Sequence, residues 1–339
     1  MVLQPEPLAI GDGMPARKSA CALDELGIGR AVGSALGHDI ATRYRITSGA
    51  RFRLASVQTN DDWGASFKDT ADELIADSVR RLADLQERLY AQDRWSVLLI
   101  FQAMDAAGKD GTIKHVMSGV NPQGCEVHSF KSPSSEELDH DFLWRNSRVL
   151  PRRGHIGIFN RSYYEETLVV RVHQNILARQ QLPPKLVTRN IWRERYEDIN
   201  AYERYLSRQG VVIRKFFLHV SKEEQRLRFL KRLEESDKHW KFSLADVGER
   251  AHFAEYMQAY QDTIRHTSTA WAPWHVIPAD RKWFTRLAVA ATIVDTIESL
   301  DPRFPSADPK VKAELNKVKA ALEAEVKVVR AKSARARRQ

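Results

Sequence analysis

The sequence of 339 residues has only two cysteines, Cys21 and Cys125, and neither belongs to a Cys-x-x-Cys pair. This excludes a disulfide framework and a cysteine-based metal site, and it favours a reducing compartment, the cytoplasm. The eleven histidines show no His-Glu-x-x-His spacing, which argues against a zinc centre. No apolar run approaches the ~20 residues that cross a bilayer, and no signal-peptide pattern is evident. We therefore expect a cytoplasmic protein that has no membrane partner.

Positive charge is concentrated at one end of the chain. The net charge is +9, and residues 306–339 contribute +6 of it, with ten Lys and Arg against four Asp and Glu. The remaining chain is nearly balanced, so an anion site within it requires a local cluster of basic side chains. The basic tail makes nucleic-acid binding an alternative function, but the tail has no aromatic residue that could stack on bases. We therefore treat nucleic acid as a minor alternative.

Strand-like and helix-like runs alternate between residues 46 and 305. Predicted strands lie at 97–101, 127–130, 155–159, 211–220 and 274–277, with a weaker one at 52–57. The segments between them predict helices, the longest at 163–209 with an interruption near 183–184. Such alternation is typical of a three-layer α/β fold with a parallel sheet. Residues 1–45 are interpreted as a partly disordered extension, and residues 306–339 as a basic, helix-prone tail.

Residues 96–114 have the layout of a phosphate-binding loop. A buried strand is followed by a tight turn that ends at Gly108 and Lys109, and a helix begins there. Backbone N–H groups at a helix N-terminus bind anions, and a lysine adds a point charge. The usual pattern begins with glycine and ends with a hydroxyl residue, but Ala103 and Asp110 occupy those positions. A turn with a solvated lysine is the alternative interpretation of this segment taken alone.

Polar side chains follow several predicted strands, among them Asp105, Lys109, Lys131, Asn160 and Arg161. Parallel sheets bind ligands beyond the carboxyl ends of their strands, so we expect these side chains to lie close together. Asp105 can hold Mg²⁺ or orient an attacking oxygen, although it can also simply stabilise the turn. Lys109 can neutralise a transferring phosphoryl group, and Arg161 can bind phosphate oxygens with two N–H groups. Asn160 offers a carbonyl oxygen without charge.

A basic segment at about residues 222–250 is interpreted as a lid. Its helix carries Arg228 and Arg232 one turn apart, and Lys238 and Lys241 follow in a polar, aromatic stretch. Lids of phosphoryl-transfer enzymes bring in arginines and exclude water. The alternative is a solvated helix face whose charges are balanced by neighbouring glutamates.

Seven ordered blocks resemble the polyphosphate kinase type 2 family, and most closely its one-domain branch, class III. The blocks cover much of residues 45–300: MDAAGKDGTI (104–113), SGVNPQG (118–124), SFKSP (129–133), LDHDFLWR (138–145), GIFNRSYYE (157–165), VVRVH (169–173) and DKHWKFS (237–243). The loop of that family ends in Lys followed by a residue without a hydroxyl, so Asp110 fits it. Ala103 replaces a commoner glycine, and Asn160 stands where other branches carry Asp.

The resemblance implies a P-loop kinase fold related to thymidylate kinase, with a helical lid, over residues 46–305. It implies direct, in-line transfer of the terminal phosphoryl group of inorganic polyphosphate to AMP or ADP, which yields ADP or ATP. Mg²⁺ is the implied cofactor, and Mn²⁺ is a substitute. We also expect a homo-oligomer, a dimer or a tetramer. The alternatives are an ATP-dependent nucleoside monophosphate kinase and a nucleic-acid-binding protein that acts through the tail.

The same resemblance and the strand-end positions assign roles to individual residues. Asp105, Lys109 and Arg161 are the predicted catalytic residues, and Asp105 is also the predicted metal ligand. The other predicted site residues are, for the phosphate loop, Ala106, Ala107, Gly108, Asp110 and Gly111; for the nucleotide, Lys131, Arg145 and Asn160; and for polyphosphate, Arg228, Arg232, Lys238 and Lys241.

Overall fold

The strongest β-forming runs of the sequence make up one six-stranded sheet. The computed structural model describes residues 28–65, 68–235, 247–306 and 308–336. Along the sheet the order is β1-β6-β5-β2-β4-β3, and every neighbouring pair is parallel except β1 with β6. The strands are β1 (Arg45–Ile46), β2 (Ser96–Ala103), β3 (Cys125–Ser129), β4 (Ile156–Asn160), β5 (Val211–His219) and β6 (Trp274–Pro278).

Helices cover both faces of this sheet. They are α1 (Ile28–Arg43), α2 (Ala71–Gln92), α3 (Lys109–Val116), α4 (Ser135–Leu138), α5 (Trp144–Ser147), α6 (Val169–Val172), α7 (Gln174–Leu177), α8 (Ile191–Arg208), α9 (Lys222–Glu234), α10 (Phe253–Thr267), α11 (Lys282–Glu298) and α12 (Pro309–Ala336). Neighbouring residues of β5 point to opposite faces. Lys215 contacts Glu203 of α8, whereas Arg214 contacts Thr296 of α11. The predicted three-layer α/β arrangement is therefore confirmed.

The middle of the sheet explains why β2 is so apolar. Strand β2 pairs with β5 on one side and β4 on the other, and helices cover both of its faces. Val97, Leu98, Leu99 and Ile100 are consequently fully buried. Burial on both faces is the physical reason for a continuous hydrophobic run without polar alternation. The loop after this strand thus emerges from the most rigid part of the domain.

The chain before residue 45 contributes to the domain more than the sequence indicated. Helix α1 packs against α11, and Ile40, Ala41 and Tyr44 are buried. Part of the interpreted extension is therefore part of the hydrophobic core, while residues 1–27 lie outside the described residues. The basic tail is helical as expected, over Pro309–Ala336.

Residues 52–57 do not form the weak strand predicted for them. They contain a short 3-10 turn, Leu54–Ser56, and the Leu54 N–H donates to the side-chain oxygen of Gln261 at 3.1 Å. The edge of the sheet beside β6 is taken by β1 instead. Phe52 and Leu54 are buried, so the apolar pattern reflects core packing and not strand pairing.

The long helix predicted over 163–209 is also broken into shorter pieces. A 3-10 turn, Tyr163–Glu166, leads into α6 and α7, and only α8 is a full helix. The Ser162 hydroxyl accepts a hydrogen bond from the Tyr164 N–H and starts the turn. Pro183 and Pro184 have no N–H to donate and prevent helix formation before α8. The broken segment forms one wall of a pocket beside β4.

Candidate active site

The loop between β2 and α3 has the backbone shape of an anion cradle. Ala106 (φ 62°) and Gly108 (φ 97°) both adopt left-handed conformations, and Gly108 forms the N-cap of α3. The Gly108 carbonyl accepts hydrogen bonds from the N–H and the hydroxyl of Thr112, at 2.9 and 3.0 Å. Glycine is required at a position with φ near 97° because a Cβ atom would strain it. The loop thus presents its backbone and the helix N-terminus to one cleft.

Asp105 and Arg161 form the charged centre of this cleft. The Arg161 guanidinium donates to Asp105 Oδ1 at 2.8 Å and to Glu165 Oε2 at 3.2 Å. Glu165 is held in turn by the Gln102 side chain, at 2.8 Å. The nearby Glu165 carboxylate is the main cause that raises the pKa of Arg161. Two carboxylates therefore fix the guanidinium while leaving it partly open to the cleft.

The position of Arg161 follows from the end of β4. Its N–H donates to the Phe101 carbonyl of β2 at 3.0 Å, and its φ of 65° turns the chain away from the sheet. A left-handed conformation at a residue other than glycine is a strained one that surrounding contacts must hold. The preceding Asn160 donates from its side-chain amide to Asp110 Oδ1 at 2.7 Å. The ends of β2 and β4 are thereby joined directly across the cleft.

Lys109 carries a perturbed ammonium group. Desolvation in the loop and the neighbouring Arg161 charge lower the pKa of Lys109 to about 8, against the opposing effect of Glu165, Asp105 and Asp110. A lysine with this pKa is partly neutral under mildly alkaline conditions. Bound phosphate would favour its charged form, because an anion stabilises a nearby cation.

A buried network lies directly behind Arg161. The Lys215 ammonium donates to Glu203 Oε2 at 2.6 Å, to the Tyr164 hydroxyl at 2.9 Å and to the Thr267 carbonyl at 2.7 Å. The hydroxyls of Tyr163 and Tyr164 donate to Glu203 Oε1 at 2.9 and 2.7 Å. Lys215 and Glu203 are fully buried. This network anchors the turn that follows Arg161, and sequence patterns gave no signal for it.

Lys131 and Arg145 lie on the other side of the cleft from the basic helix α9. The Arg145 guanidinium donates to the Lys131 carbonyl at 2.8 Å and lies over the Phe130 ring, 5.4 Å from its centroid. Arg145 is also 3.6 Å from Glu137, which the capping box of α4 holds in place. The structure thus brings these two predicted nucleotide residues together at the end of β3.

Arg228 makes contacts with the phosphate loop that the sequence did not predict. Its guanidinium donates to the carbonyls of Ala107 (2.7 Å), Ala106 (3.3 Å), Ala279 (2.6 Å) and Asp280 (3.2 Å). The remaining N–H donates to Glu224 at 2.8 Å, and the residue is only 9% exposed. All five donors are therefore used within the protein. Arg228 therefore fastens the phosphate loop to the end of β6. It also lines the cleft on the α9 side of the loop, so its contact with polyphosphate stays a prediction.

Arg232, one turn further along α9, lines the cleft, and its contact with polyphosphate stays a prediction. Lys238 and Lys241 lie outside the described residues. Sequence reasoning missed three other basic residues, Lys231, Lys282 and Arg286, which line the same side of the loop. The pKa of Lys282 is lowered by desolvation and by the nearby positive charges of Arg228 and Lys231.

Three connected spaces lie at the carboxyl end of the sheet, and the phosphate loop lines two of them. The central cleft, about 560 Å³, is lined by residues 104–111, 129–132, Asn160, Arg161 and Arg232. A second space, which we call the mixed pocket, shares Lys131 and Arg161 with the central cleft. It adds apolar side chains such as Leu138, Phe142 and Val170. A third space, the basic cleft, shares Ala106–Gly108 and Arg232 with the central cleft and adds Arg228, Lys231, Glu235, Lys282 and Arg286. The central cleft therefore joins a pocket of mixed character to a predominantly basic cleft, and the phosphate loop lines the central and the basic clefts.

A parallel α/β sheet, a phosphate loop and arginines at its edge define an enzyme of the P-loop phosphotransferase class. A family model described as polyphosphate kinase 2 (PPK2) matches residues 65–305. The chain belongs to the polyphosphate kinase 2 family, and the family resemblance found in the sequence is confirmed.

Relatives with curated names cover most of the chain. An ADP-polyphosphate phosphotransferase of Rhodopseudomonas palustris is 50% identical over 274 residues, 80% of this chain and 95% of that protein. An AMP/ADP-polyphosphate phosphotransferase of Meiothermus ruber is 44% identical over 266 residues, 78% of this chain and 95% of that protein. The crystal structure of polyphosphate kinase 2 from Arthrobacter aurescens TC1 matches with a TM-score of 0.76 and 40% identity, over 83% of this chain and 96% of that chain.

No helix in the described part of the chain is both long and apolar enough to cross a membrane. The same described ranges contain no group of three or more His, Cys, Asp and Glu side chains arranged to hold a metal ion. A metal at this site would therefore depend on one or two carboxylates together with substrate oxygens.

Proposed function

We propose that this protein transfers the terminal phosphoryl group of inorganic polyphosphate to AMP or ADP. One observation carries the proposal: the central cleft, which the phosphate loop lines, joins a pocket suited to a nucleotide and a cleft suited to a polyanion. A phosphotransferase needs its donor and acceptor on opposite sides of the transferring group, because the displacement is in line. The names of the relatives from Rhodopseudomonas palustris and Meiothermus ruber agree with this pair of substrates.

The mixed pocket is proposed to bind the acceptor nucleotide. Its apolar side chains, including Phe142 and Val170, offer contacts to a base and a sugar. Lys131 and Arg145 are then near the acceptor phosphates, and Arg161 lies where this pocket joins the central cleft. This arrangement directs the acceptor phosphate towards Lys109.

The basic cleft is proposed to bind the donor. Its charged lining consists of five basic residues and one carboxylate, namely Arg228, Lys231, Arg232, Lys282, Arg286 and Glu235, and no aromatic side chain is found among its described lining residues. A nucleoside triphosphate donor needs a surface for its base, whereas a phosphate polymer needs only positive charge along its path. The cleft therefore favours polyphosphate over ATP as the donor and argues against an ATP-dependent nucleoside monophosphate kinase.

The chemistry of the loop residues follows from their positions. Lys109 and the backbone N–H groups at the start of α3 stabilise the negative charge of the transferring phosphoryl group. Arg161, fixed by Asp105 and Glu165, holds oxygens on the acceptor side and limits the angle of attack. No covalent nucleophile is required, because in phosphoryl transfer catalysis comes mainly from positioning and charge neutralisation.

We propose Mg²⁺ as the cofactor, with Asp105 as its protein ligand and Mn²⁺ as a substitute. Two carboxylates, Asp105 and Asp110, line the central cleft, which is the donor set that Mg²⁺ uses together with substrate phosphates. Asp105 would hold the metal while its Oδ1 also accepts the Arg161 hydrogen bond. A bound Mg²⁺ would neutralise charge on the donor phosphates. Asn160 has no charge to contribute and instead fixes Asp110.

A donor-by-acceptor matrix tests the proposed function. The purified protein is incubated with polyphosphate or ATP as donor, and with AMP, ADP or GDP as acceptor, in Mg²⁺ or in a chelator. We expect ADP and ATP only from polyphosphate and only with the metal present. Product from ATP plus AMP without polyphosphate, at a comparable rate, would contradict the donor assignment. A Lys109→Ala variant provides the blank and is expected to lose turnover while keeping its melting temperature within a few degrees.

Cytoplasmic location and assembly into a homo-oligomer complete the proposed description. The small number of cysteines supports the first, as does the use of AMP, ADP and polyphosphate as substrates. Fractionation of cells that express a tagged chain would test it. Assembly is measured by analytical ultracentrifugation of the full chain, and a monomer at all concentrations would contradict it.

A further inference from the structure

The tail helix α12 presents an apolar stripe that no described part of the domain covers. Val311, Leu315, Val318 and Leu322 are each between 46% and 57% exposed. They follow one another at steps of four, three and four residues, which places them on one face of the helix. A helix that is solvated on every face carries polar residues all round. Large aliphatic residues aligned on one face therefore indicate a contact surface.

The step lengths assign each residue a heptad position. A step of four followed by a step of three puts Leu315 and Leu322 at position a, and Val311 and Val318 at position d. The sequence continues this register to Val329 at a later a position, whereas Glu325 occupies a d position. The stripe is therefore short, and the association that it supports is a weak one that depends on protein concentration.

Charges beside the stripe indicate how two helices would align. Glu314 occupies position g, and Lys319 occupies position e of the following heptad. These are the two positions that meet across a parallel coiled coil. In the single chain, the Lys319 ammonium lies 4.0 Å from Glu323 of the same helix, and both side chains are well exposed. Such an exposed pair is weak, so Lys319 can exchange this partner for Glu314 of a second copy. An antiparallel alignment would instead bring e positions, which are lysines here, against each other.

We propose that α12 associates in parallel with the α12 helices of further copies of this chain, as a short coiled coil. Leucine at a with a β-branched residue at d favours more than two strands. The helix lies beyond residue 305, where the family match ends, so this contact is separate from the catalytic domain. The surface is formed by this chain's own tail, and the proposal stands whether or not the substrates are as proposed.

The first test uses a cysteine reporter in the full chain. Cys21→Ser and Cys125→Ala remove the natural thiols, and Val318→Cys then places one thiol on the stripe. Under mild oxidation we expect a disulfide-linked dimer, because identical d positions face each other only in a parallel pair. Ala320→Cys, on the opposite face of the helix, is the matched reporter and is expected to cross-link at most a tenth as much. Equal cross-linking of the two reporters would overturn the proposal.

The second test removes the stripe while the reporter at Val318 stays in place. Leu315→Glu with Leu322→Glu is compared with Ala313→Glu and Ala320→Glu, which add the same charge at the same spacing on the opposite face. We expect the first pair to lower the cross-link yield at least about tenfold, because two buried leucines are lost. The control pair is expected to change it less than about twofold. Similar yields from the two pairs would refute the inference.

The third test examines the Glu314–Lys319 charge pair, and whether nucleic acid holds the tails together. Glu314→Lys alone and Lys319→Glu alone are each expected to reduce the yield, and the two together are expected to restore it. A double variant no better than the weaker single variant would exclude the parallel alignment. All yields are also measured after nuclease treatment, and loss of the cross-link there would show that nucleic acid gathers the tails and would overturn the proposal.

Discussion

Replacing Arg228 with lysine tests the most specific contact that the fold makes with the phosphate loop. Lysine keeps the positive charge but has no planar fork, so it cannot hold the Ala106 and Ala107 carbonyls and the Ala279 and Asp280 carbonyls at once. We expect Arg228→Lys to loosen the loop and to reduce both stability and turnover. The change tests geometry and not charge, because the charge is unchanged.

The size of the effect follows from the contacts. Arg228 donates to four carbonyls on two segments, and a lysine that stays near Ala107 loses at least the two carbonyls after β6. A hydrogen bond to a charged donor contributes about 1.5–3 kcal/mol, so the free energy of unfolding should fall by about 3 kcal/mol or more. For a domain of this size that corresponds to a melting temperature lower by roughly 5 °C. A shift of the loop by about 1 Å would lower kcat by about 100-fold.

The assay measures the melting temperature and the steady-state rate with polyphosphate and ADP varied in turn. Arg232→Lys is the matched control, since Arg232 lies on the same helix and lines the cleft. We expect Arg228→Lys to lower kcat and the melting temperature, and Arg232→Lys to raise mainly the KM for polyphosphate. A normal melting temperature and kcat in Arg228→Lys, with a raised KM for polyphosphate alone, would refute the loop-fastening role. That result would favour direct contact with the polymer.

Three further predictions concern the charges around the site. In a denaturant titration, Lys215→Met should lower the free energy of unfolding by about 3–5 kcal/mol, because the substitution leaves Glu203 charged and buried. The double variant Lys215→Met with Glu203→Leu should recover most of the lost stability. The value of kcat/KM should fall as the pH rises through about 8, since Lys109 of the free enzyme loses its proton there, and the residual kcat/KM of Lys109→Arg should lack this fall. Asp105→Asn should raise the Mg²⁺ concentration needed for half-maximal rate by about tenfold, and Asp110→Asn, its matched control, by less.

Each of these has an outcome that contradicts it. A double Lys215 and Glu203 variant as unstable as the single one would mean that packing, and not the unpaired charge, determines the loss. A kcat/KM that is constant from pH 7 to pH 10 would show that the reaction does not depend on the protonation of Lys109. An unchanged Mg²⁺ requirement in Asp105→Asn would leave the metal without its proposed protein ligand.

The central part of the site could be predicted from the sequence because its signals are local. A buried run followed by Gly108 and Lys109 marks a loop at a strand end, and the strand-end rule then gathers Asp105, Asn160 and Arg161. The structure confirms that these residues line one cleft, in which Arg161 donates to Asp105 at 2.8 Å and Asn160 donates to Asp110 at 2.7 Å. Their placement needed only the alternation of strands and helices.

Arg228 and Arg232 could not be told apart from the sequence, since both occupy one face of a charged helix. Packing of α9 against the loop and the end of β6 buries the first and directs its donors to backbone carbonyls, while the second extends to the central cleft. Lys282 and Arg286 lie at the start of α11, far along the chain, and only the return of that helix beside α3 brings them to the donor side. The strand pattern around Lys215 likewise gave no sign of its buried partner Glu203.

The sequence by itself determined the α/β class, the phosphate loop, the strand-end charges, the family and the helical nature of the tail. These features depend on neighbours within a few residues or on strand ends that any parallel sheet brings together. Only the tertiary structure decided which basic residues fasten the loop and which line the donor cleft, and how Arg161 is supported from behind. Those assignments depend on burial and on hydrogen bonds between segments that lie far apart in the chain. The Arg228 guanidinium, for example, donates both to a carbonyl of the loop and to a carbonyl at the end of β6.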